Sequence, residues 1–279
     1  MLRDDVLFSM DSGSSVLTSK PYRFDGITLV SEMIAIIGGS GLSQLSNLDV
    51  TRREVVRTPY GEPSGALLFG HVCDQQTVFI ARHGYGHTIP PHVVNYRANI
   101  WALKQAGAEA IISVASVGCI AGHLQPGALL VPDQIIDYTW GRQSTFYDAG
   151  NDAVVNIDFT EPYDQSVRQR ILDAARRAGE PIFDGGTYAA TQGPRLETRA
   201  EIDRLERDGA DVVGMTGMPE AVLAREQGIP YAAITVVANY AAGRGGNVHQ
   251  ILTQDIEDTL KQAMGRVHNL LQHFCVRCE

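Results

Sequence analysis

Short apolar runs, each ending on glycine or polar side chains, punctuate the chain from residue 34 onward. Ile34 to Ile37, Thr77 to Ala81, Ala110 to Val117, Leu129 to Val131, Thr187 to Thr191, Asp211 to Gly214 and Tyr231 to Ala238 read as strands. Gly65 to Gly70 reads as the hairpin partner of Thr77 to Ala81, turning around Cys73 and Asp74. The run AIISVASVG lacks an apolar/polar alternation, as expected of a central strand covered on both faces. Helical spacing appears between the strands. Asn95 to Ala106 stops at Gly107, and Asp164 to Ala178 places Val167, Ile171, Leu172 and Ala175 on one face between an Asp164 N-cap and Gly179. Asp255 to Phe274 closes the chain with an apolar face of Ile256, Leu260, Ala263, Val267, Leu270 and Phe274. Alternating strands and helices predict an α/β fold: a single domain whose central mixed, largely parallel sheet is flanked by helices.

Residues 1–32 break this pattern, with neither strand nor helix period and no basic segment leading into an apolar core. Because Met33 stands directly before the strand, we expect residues 1–32 to be a disordered extension and 33–279 the folded catalytic domain. With 44% hydrophobic and 20% charged residues, 279 residues can bury a full core. A net charge of -9 disfavours nucleic acid as a partner and requires any anion site to be a local basic pocket. No apolar run is long enough to span a membrane, so no membrane partner is expected. Cys73, Cys119, Cys275 and Cys278 read as reduced thiols of a cytoplasmic protein, without a metal or redox role.

The stretch ARHGYGHTIPPHVVNYRANI, residues 81–100, holds three of the chain's eight histidines, His83, His87 and His92, beside Arg82. A strand delivering Arg-His into a Gly- and Pro-rich loop suits an anion such as phosphate. A solvated polar loop is the plain alternative. Zinc is a third, since His83 and His87 are four apart, but the surrounding glycines and prolines argue against the helix that would align them. Gly38-Gly39-Ser40-Gly41 after the first strand can also cradle a phosphate. Gln44, where a dinucleotide fingerprint has its third glycine, weakens a Rossmann reading.

Taken together, GGSGL at 38–42, the stretch 81–107, LQPGALLVPDQIID at 124–137, TQGPRLETRAE at 191–201 and GMTGMPEAVLA at 214–224 resemble the trimeric purine nucleoside phosphorylase family, most closely its methylthioadenosine phosphorylase branch. The resemblance runs from about residue 34 to residue 265. It implies an α/β phosphorylase fold, a homotrimer with sites near subunit interfaces, no metal, no organic cofactor, and inorganic phosphate as co-substrate. It assigns phosphate to Ser40, Arg82, His83, Thr216 and a backbone N–H near Ser116. Ala115 stands where the branch commonly has a threonine. Met215 takes the ribose face.

For the base, the branch resemblance implies an Asp-x-Asp after the last strand, and this chain has Asn239-Tyr240-Ala241. An asparagine amide donates to N7 and O6 of a 6-oxopurine without needing a proton, and Glu197 can accept from its N1–H. Leu196 and Ala241 complete the expected substrate contacts. Thr253 falls where inosine and guanosine phosphorylases place a histidine for the 5′-hydroxyl, which favours a 5′-methylthio group, with His249 as a possible replacement. The expectation is phosphorolysis of S-methyl-5′-thioinosine to hypoxanthine and 5-methylthioribose 1-phosphate in purine salvage, with Asn239, His83 and Arg82 carrying the chemistry. The alternatives are a methylthioadenosine or general inosine/guanosine phosphorylase, and, in another class, a nucleoside-binding protein without turnover.

Overall fold

The computed structural model describes residues 32–148, 154–247 and 249–276. The expected extension, apart from Glu32, lies outside them, as does Cys278. Strand β1 (Met33–Gly38) is buried along almost its whole length and begins the sheet. It is followed by β2 (Asp49–Glu54), β3 (Leu67–Val72) and β4 (Gln75–Ala81), the last two forming the expected hairpin around Cys73. Helix α1 (Tyr96–Gln105) starts where the Asn95 side chain accepts the Ala98 N–H and stops before Gly107, whose φ of 86° reverses the chain.

Strand β5 (Ala108–Cys119) exceeds its expected length at both ends and leads to β6 (Leu129–Val131) and β7 (Gln134–Asp137). Helix α2 (Gln165–Ala178) carries the expected Asp164 cap, with left-handed Gly179 at its end. Beyond it come β8 (Phe183–Asp184), β9 (Thr187–Ala190), α3 (Arg199–Arg207), β10 (Val212–Gly214), α4 (Gly217–Glu226), β11 (Tyr231–Tyr240) and α5 (Thr253–Cys275).

Among the described residues one sheet of 11 strands results, ordered β2-β3-β4-β1-β5-β10-β9-β7, with β11 beside β5, β6 beside β11 and β8 beside β6. Six of the ten pairings are parallel, so the sheet is mixed and largely parallel. Alternate residues of the central strands feed opposite cores. Ile34, Ile36, Ile112 and Ile234 pack with α2 and α5, while Ala35, Ile37, Ile111 and Ala233 pack with α1 and α4. A smaller cluster, including Ile202, Leu205 and Val213, lies under α3.

Five elements escape the sequence pattern: β2, β7, β8, α3 and α4. Strand β2 is exposed at every position, and β8 has only two residues. Helix α3 buries only Ile202 and Leu205. Helix α4 contains non-helical backbone at Met218 and Pro219, which erases any 3.6-residue period.

Candidate active site

The position of the site follows from how β5 is paired. Its first half runs beside β1 as far as Ser113, opposite Ile37, whereas β10 joins the same path only at Gly118 and Cys119. Val114 to Val117 therefore face a gap on that edge while β11 covers the other. Backbone groups alternate sides along a strand, so the Ser116 N–H points to the same edge as the Val114 carbonyl. A cavity of about 400 Å³ fills this gap. Ser40, Arg82, His83, Ser116 and Thr216 line one part of it, and Leu196, Glu197, Met215, Asn239, Ala241 and Thr253 line the rest. Residues more than 200 positions apart thus meet in one cleft, as the sequence reading expects.

At the Ser40 end, the turn after β1 is closed by the Leu42 N–H donating to the Gly39 carbonyl at 3.0 Å, which presents Ser40. Gly39 has no room for a side chain, since a Cβ would lie 2.5 Å from the Val114 oxygen and 2.6 Å from Arg82 Nη1. Arg82 is fully buried and largely committed inside the protein. Nε and Nη2 donate to the Glu220 carboxylate at 2.6 and 2.8 Å, Nη2 also to Ser113 Oγ at 2.6 Å, and Nη1 to the Val114 oxygen at 3.0 Å. Burial alone would lower its pKa, but the Glu220 charge more than offsets this, and the guanidinium stays charged. The second Nη1 hydrogen is the one left to reach a ligand. Glu220 also accepts from Ser113 at 2.7 Å and Tyr231 at 2.9 Å, so four side chains form one buried network.

His83 donates from Nδ1 to the Ile89 carbonyl at 2.8 Å. Burial first, and then the Arg82 charge, push its pKa down to about 4, so the ring is neutral at physiological pH with its lone pair on Nε2. Its centroid lies 4.5 Å from that of His87, whose Nε2 is 3.3 Å from Ser40 Oγ. These histidines sit on a turn rather than a helix. Among the described residues, no cluster of three or more His, Cys, Asp or Glu side chains is placed to hold a metal.

The Asn239 end of the cavity is built on an irregularity in β11. Val237 pairs with Val117 but Asn239 pairs with Gly118, so Ala238 is an extra residue that re-aims the end of the strand toward the cavity. One Asn239 amide hydrogen goes to the Tyr240 carbonyl at 2.6 Å, and the second remains. Glu197 is half-buried, and Thr191 Oγ1 donates to its Oε1 at 2.6 Å. Burial raises its pKa from the ordinary carboxylate value. Met215 lies over Gly193, where a side chain would strike its sulfur. Ile251, Ile256 and Leu260 line the cavity together with Thr253.

Several contributors are absent from the sequence reading as site residues: His87, Pro91, Glu220, Ile251, Ile256 and Leu260. His87 was visible in the same stretch as His83, whereas nothing local marks Glu220, 138 residues from its partner. His92 and His249 are exposed and do not line the cavity.

The model of the Phosphorylase superfamily matches residues 33–275. A Pseudomonas syringae pv. tomato protein named probable S-methyl-5′-thioinosine phosphorylase is 52% identical over 233 residues, covering 84% of this chain and 94% of its own length. The 6-oxopurine nucleoside phosphorylase of Pyrococcus furiosus is 44% identical over 245 residues, covering 84% of this chain and 91% of its own length. The solved methylthioadenosine phosphorylase of Schistosoma mansoni in complex with adenine superposes with a TM-score of 0.83 at 33% identity, over 88% of this chain and 91% of that one. With the fold, the cleft and these likenesses together, the chain belongs to the phosphorylase superfamily and is a nucleoside phosphorylase.

Proposed function

We propose that its nucleoside is S-methyl-5′-thioinosine, cleaved by phosphate to hypoxanthine and 5-methylthioribose 1-phosphate. The observation that carries this reading is the pairing of Asn239 with Glu197 in one cavity. The free Asn239 amide hydrogen suits N7 of the departing purine, where negative charge develops, and Glu197 accepts from N1–H of a 6-oxopurine. An adenine offers no N1–H, and a buried group left unpaired discriminates strongly. The apolar lining by Ile251, Ile256 and Leu260 favours a methylthio over a hydroxyl group at the sugar's 5′ end. The names of the Pseudomonas and Pyrococcus relatives support the 6-oxopurine reading.

In this mechanism hydrogenphosphate sits below C1′. The Ser40 and Thr216 hydroxyls, the Ser116 N–H and the remaining Arg82 Nη1 hydrogen donate to its oxygens, and neutral His83 accepts its P–OH through Nε2. Met215 packs on the ribose. Phosphate enters as co-substrate, and the proposal includes no cofactor. A homotrimer acting in the cytoplasm completes it, supported by the resemblance and by exposed Tyr85, Val93 and Leu196 on loops that carry cleft residues. Light scattering tests the assembly.

The direct test measures base release from methylthioinosine, methylthioadenosine and inosine, with and without phosphate. Efficient, phosphate-dependent release from methylthioinosine alone is expected. Preference for methylthioadenosine would overturn the base-site argument, and preference for inosine would overturn the 5′ argument.

A further inference from the structure

We propose that Arg142 is a positioning residue for phosphorolysis: its guanidinium ties the loop leading to Glu197 to the loop carrying Met215 and Thr216. Arg142 does not line the cavity, so it acts through other groups. Nη1 donates to the Met215 carbonyl at 2.8 Å and the Met218 carbonyl at 2.6 Å. Nη2 donates to the Gln192 carbonyl at 2.8 Å and approaches that of Thr191 at 3.3 Å, while Nε reaches Gln192 Oε1 at 3.2 Å. The same Gln192 oxygen accepts the Trp140 N–H at 3.1 Å, and Tyr96 OH lies 3.3 Å from Nη1. A planar fork of five donors can span both loops at once.

The functional consequence follows from what each loop carries. Thr191 and Gln192 precede Glu197, and Thr191 itself bonds the Glu197 carboxylate. Met215 and Thr216 hold the ribose and phosphate in the proposed reading. Phosphorolysis needs base and phosphate at a fixed separation across C1′, and a misplacement of about 1 Å can cost about 10²-fold in rate. The inference rests on phosphorylase activity but not on the identity of the 5′ group.

The test uses the full-length protein, with whichever of methylthioinosine or inosine the wild type cleaves better. Arg142→Ala should lose roughly 100-fold in kcat with smaller changes in both KM values. Millimolar guanidinium chloride should restore part of that loss, and sodium chloride should not. Activity within threefold of wild type, or a loss that guanidinium does not relieve, overturns the proposal. If Arg142→Ala does not fold, Arg142→Lys decides. A tenfold or greater loss of kcat at an unchanged melting temperature supports the role, because one ammonium cannot span both loops, and full activity overturns it. A wild type without turnover would instead refute the phosphorylase reading itself.

Discussion

Arg82 meets both carboxylate oxygens of Glu220, through Nε at 2.6 Å and Nη2 at 2.8 Å, in a pair with side-chain exposures of 0% and 1%. The arginine that lines the cleft is thus already compensated, and in the proposed phosphate site it acts as a fixed directional donor more than as a free charge.

Removing the carboxylate should expose the dependence of the pair on itself. Glu220→Gln leaves a buried guanidinium without its counter-charge, which costs about 3–5 kcal/mol. Denaturant unfolding measures this directly. Phosphate should raise the melting temperature of the variant more than that of the wild type, because the anion then supplies the missing charge. An equal increase in both proteins would remove Arg82 from the phosphate site.

His83 makes stability depend on pH in a defined window. Its folded pKa of about 4 lies below the ordinary 6.5, so between these values the unfolded chain binds more protons. Its contribution is fully present above pH 6.5 and is lost as pH falls toward 4. His83→Gln should flatten the dependence of unfolding free energy on pH in that interval, and identical slopes would contradict the depressed pKa. Phosphorolysis should show no His83 ionisation around neutral pH.

Asn239→Asp exchanges a permanent donor for a carboxyl group that can donate when protonated and accept when ionised. The ratio of kcat/KM for methylthioadenosine over methylthioinosine should rise by about tenfold or more. An unchanged ratio would mean that Asn239 does not read the base.

Thr253→His restores a 5′-hydroxyl partner beside Ile251, Ile256 and Leu260. The preference for methylthioinosine over inosine should fall about tenfold, read from kcat/KM for the two nucleosides. Loss of activity on both in equal measure would assign Thr253 to packing instead.

Much of this molecule was readable along the chain because the relevant physics is local. Consecutive apolar residues must be buried on both sides, so β1, β4, β5 and β11 announced themselves, as did α2 and α5 through one apolar stripe each. Glycines at the strand ends marked the cleft loops, and all eleven expected site residues line one cavity. Helix α3 escaped the sequence pattern because it buries only Ile202 and Leu205, although its Thr198 and Glu201 form a capping box at its start. Other features depend on packing alone. The gap along Val114 to Val117 exists because β1 ends before β10 begins, and the aim of Asn239 comes from a bulge set by pairing with β5. The Arg82–Glu220 pair and the Arg142 tie join groups whose spacing in the chain carries no signal, because a hydrogen bond requires proximity in space and is blind to sequence separation.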